Sequence, residues 1–141
     1  MAAREAGLPQ PGCAFVISPW ADLAQAGRAY GEITTDPIIS KPGLDEFSRA
    51  YLGVAEPRTP LASPAYGDFT GLPPLLIHVG REELLLSDSF TVAERAAFAG
   101  VRVNLEVWPE MIHVWHVFAG QLAAGRQAIA SAGRWIGETL G

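Results

Sequence analysis

Pro73-Pro74-Leu75-Leu76-Ile77-His78-Val79-Gly80 leads into Arg81-Glu82-Glu83-Leu84-Leu85-Leu86-Ser87-Asp88-Ser89. A helical run to Gly100 follows, then Val101-Arg102-Val103-Asn104-Leu105-Glu106-Val107-Trp108-Pro109-Glu110-Met111-Ile112-His113. The order is strand, acidic loop, helix, strand, histidine loop. Leu75 to Val79 is an apolar run of strand length, and Gly80 lets the chain turn sharply after it. Parallel strands joined by a crossover helix bring successive C-terminal loops to one sheet edge. Glu83 and His113 therefore fall on neighbouring loops although 30 residues separate them.

Working outward, Cys13 to Ile17 is a second continuous apolar run, expected as a strand covered on both faces and ended at Ser18-Pro19. Ala2 to Gly7 reads as a helix end. Val101, Val103, Leu105 and Val107 alternate with Arg102, Asn104 and Glu106. That spacing predicts a third strand with one wet face, at or near a sheet edge. Ser87 or Asp88 can cap a helix over 88–99, whose small face carries Ala93, Ala96, Ala97 and Phe98. A closing helix is predicted over 121–140 through Leu122, Ile129, Ala132, Trp135 and Ile136. Residues 24–60 read as an irregular insertion over one edge of the sheet. Within it a short helix over 44–52 places Leu44, Phe47, Tyr51 and Leu52 on one face. The fold class is thus three-layer α/β, one domain over 1–141, with a short parallel sheet from strands near 13–17, 75–79 and 101–107.

Bulk properties narrow the function. The chain has 141 residues, 49% apolar and 18% charged, enough for one ordinary globular core. A formal charge of −5 with ten Lys and Arg gives no footprint for nucleic acid or an anionic membrane. The single cysteine, Cys13, forms no internal disulfide and no Cys-based zinc site. No signal segment or apolar window of membrane-spanning length is visible, so a reducing cytoplasm is the expected compartment. His113 and His116 are three apart, but neither His-Glu-x-x-His nor a third ligand accompanies them, so no metal is expected. No cofactor is expected either.

An acid that orients an imidazole is two members of a hydrolytic triad. From the residues alone Glu82, Glu83 and Asp88 are all candidates for the acid. His78, inside its strand, is expected as a hydrogen-bonded core residue. Trp108, Met111, Trp115 and Phe118, around the histidine, are expected mainly as core.

Ser18-Pro19-Trp20-Ala21-Asp22-Leu23, Leu61-Ala62-Ser63-Pro64, Gly71-Leu72-Pro73-Pro74, the loop after Val79-Gly80, and Met111-Ile112-His113 occur in that order. In this the chain resembles the C-terminal half of α/β-hydrolases of the hormone-sensitive-lipase-like (bacterial HSL) esterases, over nearly its whole length. The resemblance implies a partial α/β-hydrolase fold and hydrolysis of short-chain carboxylic esters. It implies Glu83 as triad acid, with Asp88 as the substitute, and His113 as general base. That family writes its acid loop Asp-Pro-Leu-x-Asp, whereas this chain has Glu83-Leu84-Leu85-Leu86-Ser87-Asp88. The family's Gly-x-Ser-x-Gly nucleophile and His-Gly-Gly-Gly oxyanion segment have no counterpart here. Ser131 precedes Ala132-Gly133 but has Ile129 where the first glycine belongs, and a hydroxyl inside a helix is expected to bond back to the backbone. Ser18 and Ser63 are makeshift candidates only. The chain alone is therefore expected to be a very poor esterase. Its first strand should present a bare edge, covered by a homo-oligomer or by a partner carrying the N-terminal half. A non-catalytic interaction module pairing through that edge is the alternative.

Overall fold

A computed structural model describes residues 1–141. Three strands, β1 (Ala14–Ile17), β2 (Leu75–Gly80) and β3 (Val103–Trp108), form a parallel sheet in that spatial order. The helices are α1 (Ala2–Glu5), α2 (Ala29–Glu32), α3 (Lys41–Leu52), α4 (Leu86–Phe98) and α5 (Ala123–Leu140), with 3-10 turns at Pro64–Tyr66 and Trp115–Phe118. The fold is three-layer α/β, a short parallel sheet with flanking helices.

The middle strand is buried along its whole length. Alternation splits its side chains between two layers. Leu75 and Ile77 meet Val92 and Ala96 of α4, whereas Leu76 meets Ala132 and Trp135 of α5. Complete burial of Leu76 and Ile77 contributes about 2–3 kcal/mol each. The register Ile17–His78–Glu106 aligns the C-terminal ends of all three strands. His78 falls on the α5 face and the loops after the strands converge at one rim.

Several elements differ from the sequence reading. The first strand is only half-buried, because it pairs with β2 alone and its outer edge is open. β3 lies at the sheet edge and its polar face stays accessible at Asn104, as the alternation predicts, but α5 also bonds to that face. Trp135 Nε1 donates to Asn104 Oδ1 at 3.1 Å, and Ser131 Oγ donates to Glu106 Oε1 at 3.1 Å. Ser131 thus bonds across the layers, not back to its own helix. Ile129 is half exposed, and the packed face of α5 is Gly125, Ala128, Ala132 and Trp135. In α4 the inward residues are Asp88, Ser89, Val92 and Ala96, while Phe98 points outward.

Residues 24–60 contain two helices and pack on the acid loop: Tyr30 and Leu44 share a core cluster with Leu84 and Leu85. Ser40 caps α3 by accepting from Gly43 N, and Gly53 ends it at φ +56°. The expected apolar face of this helix is not the buried one. Leu44 and Ser48 are buried, while Phe47 and Tyr51 are 68% and 72% exposed. Ser48 is drawn inward because its hydroxyl donates to the Leu23 carbonyl.

Candidate active site

Gly80 ends β2, and the chain turns through Arg81-Glu82 to bring Glu83 back beneath the strand end. Glu83 is fully buried. Its Oε2 accepts from the Gly80 backbone N at 2.8 Å and from Ser18 Oγ at 2.8 Å. Its Oε1 lies 3.4 Å from His113 Nδ1. That distance is long for an N–H···O bond, so a shift of a few tenths of an ångström would close it. The His113 side chain is 18% exposed. With Nδ1 facing the carboxylate, the neutral tautomer that donates from Nδ1 leaves the Nε2 lone pair as the base.

The histidine loop presses on the strand end. A Cβ on Gly80 would collide with the Met111 carbonyl and come within 2.9 Å of the Ile112 carbonyl. Only glycine permits this approach. Three non-glycine residues along the rim adopt left-handed backbone: Ser18 (φ +47°), Glu110 (+60°) and Val114 (+47°). For β-branched Val114 this is a strained state, costing about 1–3 kcal/mol. The Ser18 hydroxyl accepts from the Val114 N–H at 3.2 Å, so two of these residues are tied together.

The other candidate acids lie elsewhere. Asp88 Oδ2 accepts from the backbone N of Ala21 and of Asp22, both at 2.8 Å, and Oδ1 accepts from Tyr30 Oη at 2.9 Å. Burial, the largest influence, raises its carboxyl to about 6, against the lowering effect of these donors. Burial and Asp88 together keep the Tyr30 phenol well above its ordinary range, so it remains a donor. Asp88 does not cap α4. Ser87 does not either, because its hydroxyl accepts from Ala29 N instead. Both side chains fasten the 21–30 segment onto the helix. Glu82 pairs at the surface with Arg81.

Behind the site sits a second imidazole pair. His78 Nδ1 and His116 Nε2 are 3.1 Å apart, and Trp115 is fully buried against His116, ring centroids 4.0 Å apart. Glu106 Oε2 lies 3.1 Å from His78 Nε2, without the alignment of a hydrogen bond. Burial lowers both histidines, His116 to about 4, with the neighbouring His78 adding to the effect on His116. Two neutral imidazoles bonded to each other are a core feature. Of the four residues expected as core around the histidine, Trp115 is fully buried, Trp108 and Met111 are half-buried, and Phe118 is exposed.

No serine is free beside His113. Ser18 is buried with its proton directed to Glu83, and Ser63 is buried with its oxygen accepting from Leu23 N and its proton on the Pro57 carbonyl. No group of three or more His, Cys, Asp or Glu side chains is arranged to hold a metal. No helix is long and apolar enough to cross a membrane.

A buried carboxylate and an imidazole on consecutive loops beyond parallel strands are the arrangement of an α/β-hydrolase. The family described as alpha/beta hydrolase fold matches residues 1–117. The chain belongs to this family, in its bacterial hormone-sensitive lipase branch. It is 45% identical over 141 residues to an acetyl-hydrolase of Streptomyces hygroscopicus, covering 99% of this chain and 47% of that protein. It is 31% identical to the esterase LipU of Mycobacterium tuberculosis, over 94% of this chain and 47% of LipU. The crystal structure of an esterase from the bacterial hormone-sensitive lipase family superposes with a TM-score of 0.96 at 42% identity, covering 99% of this chain and 48% of that one. The chain spans about half the length of the relatives it matches.

Proposed function

We propose that this chain carries the acid and the base, Glu83 and His113, of a serine carboxylesterase for short acyl esters. In this reading the serine and its oxyanion hole come from a second segment that pairs on the open edge of β1. The observation that carries it is the fully buried Glu83 carboxylate facing His113 Nδ1, while Asp88 is occupied by three other donors. Glu83 holds the imidazole in the Nδ1–H tautomer. Nε2 then takes the proton of an incoming serine as its oxygen attacks the ester carbonyl. The same proton passes to the alkoxide that leaves. Relatives named acetyl-hydrolase and esterase support an ester substrate of small acyl size. The reading extends to a cytoplasmic setting, in which Cys13 stays a free thiol.

A second reading, an interaction module without catalysis, draws on the bare β1 edge and on the lack of a serine beside His113. One experiment separates the two. Hydrolysis of a p-nitrophenyl short-chain ester is followed with the pure chain and with the chain mixed with a fragment bearing Gly-x-Ser-x-Gly. Turnover confined to the mixture supports the esterase reading. Binding of the fragment with no turnover supports the interaction module.

A further inference from the structure

We propose that Ser18 is a positioning residue for the acid–histidine pair, its one hydroxyl fixing the acid loop and the histidine loop together. This rests on the reading of Glu83 and His113 as acid and base.

The argument begins with the proton count. A hydroxyl has one proton to give and lone pairs to accept with. The Val114 N–H occupies an acceptor position on Ser18 Oγ, and the single proton goes to Glu83 Oε2. Ser18 thus bridges the acid to the residue directly after His113. The Gly80 N–H alone would locate Oε2 but leave the carboxylate free to turn about it. A second donor from a different strand end fixes the carboxylate plane, and that plane decides whether Oε1 faces His113 Nδ1. The backbone of Ser18 is itself anchored, its N–H donating to the His78 carbonyl at 2.8 Å as the last step of the β1–β2 ladder.

Its conformation points the same way. Ser18 sits at φ +47°, where glycine would be at ease and a serine is not. The strained backbone aims the side chain into the rim. A nucleophilic role does not fit: the hydroxyl is buried, and its proton goes to the acid rather than to the imidazole.

The test reads the imidazole rather than the fold. Long-range 1H–15N NMR of the whole chain at neutral to mildly alkaline pH reports which ring nitrogen of His113 carries the proton. The wild type should show predominantly the Nδ1–H form, and Glu83→Gln, the control for the pair itself, should lose that preference. Ser18→Ala and Ser18→Gly should both lose it as well, giving a mixture of tautomers. Ser18→Gly also relaxes the left-handed backbone, so its melting temperature should lie above that of Ser18→Ala. This divides hydroxyl loss from loss of stability and supplies a folded variant if the alanine form unfolds. If Ser18→Gly keeps the Nδ1–H form while Glu83→Gln abolishes it, the role given to Ser18 is wrong and the acid–histidine reading stands. If the wild type shows no preference that depends on Glu83, the reading of the pair fails and the role of Ser18 falls with it.

Discussion

Replacing Asp88 by asparagine and by alanine separates the charge of a buried carboxylate from the hydrogen bonds it accepts. In the folded chain the group is held at about 6 by burial, against an ordinary value of 3.8. At 1.36 kcal/mol per decade, the ionised form is about 3 kcal/mol less favourable in the folded chain than in the unfolded one. The contribution is fully present below pH 3.8 and is lost as pH rises through 6. Asparagine can place its oxygen where Oδ2 accepts from Ala21 N and Asp22 N, and turn its amide toward the Tyr30 oxygen. Asp88→Asn should therefore match or exceed wild-type stability at pH 7, by up to about 3 kcal/mol, with the gain gone by pH 4. Asp88→Ala strands three donors at about 1–3 kcal/mol each and should lie at least about 3 kcal/mol below the asparagine variant. Urea unfolding at pH 4 and pH 7 measures all of this. If Asp88→Asn fell as far as Asp88→Ala at pH 7, the charge itself would be required, and the argument that the accepted hydrogen bonds stabilise while the buried charge costs would be refuted.

The His78–His116 pair should act in the opposite direction. Both rings are neutral when folded, so the unfolded chain takes up protons first as pH falls below 6.5. Stability is lost down toward pH 4, by up to about 3 kcal/mol for His116, and Asp88→Asn should steepen the loss by removing the opposing gain. His116→Gln should flatten the pH dependence in urea titrations; an unchanged slope would show that His116 does not carry it. Gly80→Ala should cost about 1–3 kcal/mol by forcing the Met111–Ile112 backbone off the strand end. Unaltered thermal unfolding of that variant would contradict the close approach described at the rim.

Much of the architecture was legible because it rests on periodicity. Leu75 to Gly80 announces a strand covered on both sides, and the spacing from Glu83 to His113 equals one loop, one crossover helix and one strand. Bonds between segments distant in sequence are not written in any local pattern. Asp88 looks like a helix cap, yet Ala21 and Asp22 lie 67 and 66 residues away and claim its carboxylate. Ser48 displaces Phe47 and Tyr51 from the buried side of α3 because one hydroxyl finds the Leu23 carbonyl. Ser18 was visible as a motif residue, but its link to Glu83 spans 65 positions and needed coordinates. Its only local signal was the Ser18-Pro19 strand stop, which says nothing of where the hydroxyl points.

What stands at the centre is that Glu83 and His113 work as one unit. The direct measurement is a double-mutant cycle on ester turnover by the chain reconstituted with a nucleophile-bearing fragment. Glu83→Gln should lower kcat by about 10³–10⁴, and His113→Ala by about 10⁴ or more. The double variant should be no slower than His113→Ala alone. Losses that simply multiply, or turnover indifferent to His113→Ala, would contradict the account.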